Sequence, residues 1–137
     1  MADTRPTYVA DTHALLWYLT ADKRLGDKAR GVLDAVKADS AVMIIPAVAL
    51  AEILMIVEKG RVVLPMTRLD SAIDEWKSSR NIHLSALTIE TVFQARQLTQ
   101  IPDIFDRLIV AEALALNAPL LTRDPEIVDS KLVTVIW

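Results

Sequence analysis

The sequence contains no cysteine among its 137 residues. Disulfide staples, thiolate nucleophiles, thiolate zinc sites and iron–sulfur clusters are therefore excluded. The two histidines, His13 and His83, are too few for a histidine-rich metal site. The three glycines, Gly26, Gly31 and Gly60, cannot build a Walker loop or a GxGxxG fingerprint. With three Gly and six Pro, low-complexity disorder is not expected. Residues 1–6 are polar and no apolar segment with a small-residue cleavage site follows, so no signal peptide is expected and the chain reads as cytoplasmic. The longest apolar run, residues 41–57, is shorter than the ~20 residues of a spanning helix. It is broken at Pro46 and carries Glu52, so no membrane partner is expected.

What is present suits one globular domain over residues 1–137, with 53% hydrophobic and 24% charged residues. The formal net charge is -3 and the pI about 5.3, a balance that by itself weighs against a nucleic-acid partner.

The chain alternates short β-type runs with helical ones. Strands are expected at residues 8–10, 41–45, 82–84, 119–122 and 132–136, with a further short extended piece at 62–64. The run 41–45 is apolar throughout, as in a parallel strand buried on both faces. Helices are expected from Thr12 as cap to Leu19, and over 27–38, 47–59, 67–79, 89–98, 103–116 and 124–128. Thr88 stands as the cap of the helix at 89–98, and Gly60 as the stop of the helix at 47–59. Such alternation implies an α/β domain around a parallel sheet.

In open α/β sheets, ligands gather beyond the carboxyl ends of the strands. Asp11 follows the first strand directly, and Thr122 and Asp124 follow the strand at 119–122. Glu52 is the only charge between Ser40 and Val57, and Asp106 heads an apolar helix one turn after Asp103. Taken singly, Asp11 suits a strand-end turn, while Asp106 and Asp124 suit ordinary helix N-caps. Glu52 needs a partner, for which Arg107 or Arg123 offers a salt bridge. Taken together, the carboxylates repel one another unless a cation joins them. Oxygen-only donors favour the hard ions Mg²⁺ or Mn²⁺, which serve phosphate chemistry.

The run Asp11-Thr12-His13-Ala14-Leu15-Leu16-Trp17-Tyr18-Leu19 resembles the opening motif of PIN domains, in particular the VapC toxins of bacterial type II toxin–antitoxin pairs. Ile45-Pro46-Ala47-Val48-Ala49-Leu50-Ala51-Glu52-Ile53 is similar to their second motif. Pro102-Asp103-Ile104-Phe105-Asp106-Arg107-Leu108-Ile109-Val110-Ala111-Glu112-Ala113 resembles their DPFDR-LIxAxA motif, with Ile104 where proline is usual. Leu121-Thr122-Arg123-Asp124-Pro125-Glu126-Ile127 resembles the closing LxTxDxxI motif. The resemblance spans nearly the whole chain.

That resemblance implies a three-layer α/β/α sandwich with a central parallel sheet. It implies a metal-dependent endoribonuclease toxin that hydrolyses RNA with metal-activated water and is neutralised by a cognate antitoxin. Asp11, Glu52, Asp106 and Asp124 would hold Mg²⁺ or Mn²⁺, with Asp103 as a further candidate ligand, and Thr122 would hydrogen-bond a carboxylate or the water. Thr12 would cap its helix and fix Asp11. A homodimer is implied, as is an antitoxin peptide laid in a groove near the helices at 12–19 and 47–59. Trp17, Tyr18 and Trp76 are candidate groove or core residues. Lys23, Arg24, Lys28 and Arg30 form a solvated basic face with some reach toward phosphate, and Arg107, Arg123 and His13 adjoin the motif acids. Two other readings are carried: a non-catalytic binding module on the same fold, and an Asp-based phosphotransfer domain with Asp11 as acceptor. With four of the 18 acids assigned to one site, 14 remain against 15 Lys and Arg, so the acidic pI no longer argues against RNA.

Overall fold

The computed structural model describes residues 3–137. In chain order its elements are β1 (Thr7–Ala10), α1 (Thr12–Leu19), α2 (Asp27–Lys37), β2 (Val42–Pro46), α3 (Ala47–Glu58), α4 (Met66–Ser78), β3 (Ile82–Ser85), α5 (Ile89–Ala95), α6 (Ile104–Ala115), β4 (Leu120–Leu121), α7 (Pro125–Ser130) and β5 (Val135–Ile136). The five strands form one parallel sheet in the order β3-β2-β1-β4-β5. Val9 pairs with Ile44 on one side and Leu120 on the other, which puts β1 at the centre.

Successive strand residues face opposite sides of a sheet. Val9 and Ala10 are nonetheless both fully buried, so helices cover both faces and the molecule is a three-layer α/β/α sandwich. Helices α1, α2 and α4 gather over Met43 and Ile45 of β2, while α6 packs on β1 and α3, and α5 packs on α6. Full burial explains the apolar circumference of α1: Ala14, Leu15, Leu16, Trp17 and Leu19 are all interior, and only His13 is exposed. Trp76 likewise lies in the core. No helix among the described residues is long and apolar enough to cross a membrane.

Several boundaries differ from the sequence reading for local reasons. Asp11, not Thr12, is the N-cap of α1: its carboxylate accepts from the Thr12 backbone N–H at 2.7 Å. Asp103, not Asp106, caps α6, accepting from the Asp106 N–H at 3.2 Å. The tail of α5 tightens into i→i+3 bonds, Gln97 to Gln94 and Leu98 to Ala95, so the helix ends at Ala95. The piece at 62–64 pairs with no strand among the described residues; buried Leu64 joins the core just ahead of Pro65, the N-cap of α4. β5 shrinks to two residues because β4 offers it only Leu120 and Leu121 as partners. As expected, Thr88 caps α5 and Gly60, with φ of 72°, ends α3 in the left-handed region that glycine tolerates.

Candidate metal centre

Five polar or charged residues are buried among the described residues: Asp11, Thr12, Asp106, Glu112 and Thr122. All but Glu112 belong to one place, beyond the carboxyl ends of the central strands. The parallel order explains the convergence. β1 ends at Asp11, β2 leads directly into α3 with Glu52 in its second turn, and β4 runs into Thr122. The first turn of α6, which packs on β1, supplies Asp106.

Asp11, Glu52 and Asp106 each bring a carboxylate oxygen to within 4.8 Å of the others. Two threonines hold this group. The Thr122 hydroxyl donates to Asp11 Oδ2 at 2.6 Å, and the Thr12 hydroxyl donates to Glu52 Oε1 at 2.6 Å. Thr12 thus positions Glu52 rather than capping its own helix. Neither Arg107 nor Arg123 bridges Glu52: the Arg107 guanidinium donates to the Ile101 carbonyl, and the Arg123 guanidinium lies over the Trp17 ring.

The electrostatics are those of carboxylates without a cation. Burial pushes the Asp11 carboxyl up to about 6, against the opposing pull of its bonds from Thr122 and Thr12. Asp106 is pushed up to about 8, by burial first and then by the charges of Asp11, Asp124, Asp103 and Glu52. Among the described residues no Lys, Arg or His nitrogen lies within salt-bridge distance of Asp11, Glu52 or Asp106. A hard divalent ion is the group that would satisfy such a set.

The other sequence candidates stand apart from this triad. Asp124 is the N-cap of α7, with Oδ1 accepting from Glu126 N at 2.9 Å and Ile127 N at 3.4 Å. Its charge still reaches Asp106, and with Asp11 it lines an adjoining cavity of about 460 Å³. Asp103 is exposed and serves as a cap. His83 is exposed on β3, away from the group.

Sequence reasoning passed over Glu112, a buried acid on α6 whose carboxyl is raised by burial and eased by Ser85. The signal was there: it is the lone acid in the apolar stretch 108–116, the criterion that singled out Glu52. It does not join the triad. The pairing of Thr12 with Glu52, 40 residues apart, had no sequence signal.

The PIN domain family model matches residues 8–130. The chain belongs to the PIN domain family. No curated protein matches it significantly. Among solved structures, this PIN domain is similar to VapBC2 from Rickettsia felis, bound there to a DNA fragment from its promoter. That match has a TM-score of 0.68 and 19% identity, covering 94% of this chain and 96% of that one. DNA-bound VapBC from Salmonella typhimurium matches with a TM-score of 0.65 at 13% identity, over 95% and 96% of the two chains. FitAcB from Neisseria gonorrhoeae matches with a TM-score of 0.60 at 14% identity, over 93% and 95%. At these identities the likeness establishes the fold, and the five strands expected from the sequence all lie in its sheet.

Proposed function

We propose that this PIN domain is a Mg²⁺- or Mn²⁺-dependent endoribonuclease, the toxin of a toxin–antitoxin pair, acting in the cytoplasm. The observation that carries the reading is the triad of Asp11, Glu52 and Asp106, with oxygens within 4.8 Å of one another and, among the described residues, no cationic nitrogen within salt-bridge distance. The residues fit a hard ion: three oxygen donors, no sulfur or nitrogen, and a raised Asp106 carboxyl that ionises readily only beside added positive charge. When bound, such an ion supplies charge for a phosphodiester oxygen and for water near neutral pH.

The chain's own residues would divide the remaining work. Asp11 and Glu52 are each held by a threonine hydroxyl, which fixes the carboxylates that would share the ion. Thr122 also accepts from the Asp124 N–H at 3.1 Å, which links the rim carboxylate to the buried one. Asp124 adds negative charge at the cavity and stands as an outer ligand. Leu121, Ile109 and Ile53, chain neighbours of the site residues, are fully buried in the core.

The phosphotransfer alternative is disfavoured by Asp11 itself. It is 4% exposed, each oxygen is held by one hydrogen bond, and two further carboxylates stand beside it, so little of it is presented to an anionic phosphoryl donor. The partner proposal rests on the similar structures being toxin–antitoxin complexes. A homodimer is supported by the exposed apolar residues Ile89, Val92 and Phe93 along α5. The test is calorimetric titration with Mn²⁺ alongside cleavage of a mixed single-stranded RNA pool. Saturable Mn²⁺ binding and EDTA-sensitive cleavage are expected. Cleavage that persists in EDTA refutes the reading, and metal binding without cleavage of any RNA favours the binding module.

A further inference from the structure

Beside the triad lies a wall of rings and guanidinium groups that the metal centre does not use. The cavity that Asp11 and Asp124 line is completed by His13, Trp17, Arg123 and Trp137. Its volume of about 460 Å³ falls within the range of roughly 300–1,000 Å³ for small-molecule sites. Trp17 is buried and fixed, and the rings of His13 and Trp137 lie 5.3 and 5.6 Å from it, the latter edge-on at 71°. Two guanidinium groups sit on Trp17, Arg24 and Arg123, each at 4.7 Å from the ring centroid, and Arg123 also lies 5.9 Å from the Trp137 ring.

These two arginines differ in what they have left to give. Arg24 spends its donors on Asp22, at 2.8 and 3.1 Å. Arg123 is exposed, adjoins Asp124 in sequence, and yet makes no salt bridge or hydrogen bond to any other described residue. Its guanidinium carbon lies against two indole rings while its fork of N–H donors stays unspent. That fork matches the geometry of phosphate oxygens. The half-buried Trp137 and the exposed His13 supply ring surface beside it, which accepts any base by stacking.

We infer that this cavity is the subsite for the nucleotide flanking the scissile phosphodiester. Arg123 donates to that nucleotide's phosphate, and His13 and Trp137 flank its base. The inference rests on the nuclease reading, because a strand with one phosphate at the carboxylates must lead its next nucleotide past their neighbours.

The test measures binding and cleavage separately. A fluorescein-labelled single-stranded RNA is titrated by anisotropy in Ca²⁺, between about 50 and 200 mM salt, and initial rates are taken in Mg²⁺. Arg123→Gln should weaken binding about tenfold and flatten the log–log salt slope by about 0.7, the share of one single-strand phosphate contact. Arg123→Lys should restore the slope but not the full affinity, and His13→Ala should weaken binding without altering the slope. Lys77→Gln, an exposed charge on α4, controls for net charge and should change neither. Arg123 is exposed, so unchanged thermal midpoints are expected for its variants. Equal affinity and slope for wild type and Arg123→Gln, or no RNA binding by wild type, overturns the subsite. RNA bound in an Arg123-dependent way but never cut overturns the nuclease reading, and with it the scissile-bond register of the subsite, while upholding Arg123 as a phosphate contact in this cavity.

Discussion

Asp106→Asn should stabilise the metal-free protein at neutral and alkaline pH while destroying its response to metal. The Asp106 carboxyl is pushed from 3.8 to about 8 by burial and by its acidic neighbours. An acid whose pKa is higher folded than unfolded holds more protons in the native state. Folding is therefore favoured at low pH and loses stability as pH rises from 3.8 toward about 8. At about 1.4 kcal/mol per pH unit for one proton, the interval from pH 5 to 7 removes about 2.7 kcal/mol. Water reaches part of this carboxyl, so roughly half of that is expected, on the order of 1–1.5 kcal/mol. Asn cannot ionise, and the loss disappears from the variant. Asp11, raised to about 6, contributes its own slope to both proteins. Melting curves in EDTA at pH 5, 6, 7 and 8 should diverge, the variant gaining about 3–6 °C over wild type between pH 5 and 7. Adding Mn²⁺ at pH 7 reverses the order: wild type gains about 2.7 kcal/mol at a hundredfold excess over Kd, and the variant much less. Parallel pH profiles for the two proteins would refute the idea that Asp106 carries the strain of an uncompensated carboxylate cluster.

Thr12→Val removes the hydroxyl that holds Glu52 and should lower Mn²⁺ affinity about 10–100-fold in calorimetry, with Glu52 still present. At Asp124, cap and charge separate: Asp124→Asn keeps an N-cap and should leave the melting temperature nearly unchanged while slowing cleavage, whereas Asp124→Ala should also cost about 1 kcal/mol in denaturant melts. In Gly26→Ala the new Cβ would meet Trp137 at 2.5 Å from its ring and 2.6 Å from its backbone carbonyl carbon. Displacement of Trp137, a loss of about 1–3 kcal/mol and a shifted tryptophan emission are expected.

The elements were legible because their signals are local. Short apolar runs mark β1 and β2, and Gly60 and Thr88 punctuate their helices as their chemistry requires. Caps were misread by small steps, since Asp11-Thr12 and Asp103 through Asp106 each present two residues able to cap and only backbone geometry chooses between them. The acids of the triad were legible because a lone carboxylate in an apolar stretch needs a reason. Their supports were not: the Thr12–Glu52 and Thr122–Asp11 bonds join residues 40 and 111 positions apart. Arg123 was legible only as a neighbour of Asp124, because its stack on Trp17 and Trp137 depends on β5 returning beside β4.

The most direct measurement is mapping of RNA ends after incubating cellular RNA with purified protein in Mg²⁺ or Mn²⁺. Wild type should produce discrete new 5′-phosphate ends, absent in EDTA and absent with Asp11→Asn. The same ends from Asp11→Asn, or none from the folded, metal-loaded wild type, would contradict the assignment of a metal-dependent ribonuclease centre to Asp11, Glu52 and Asp106.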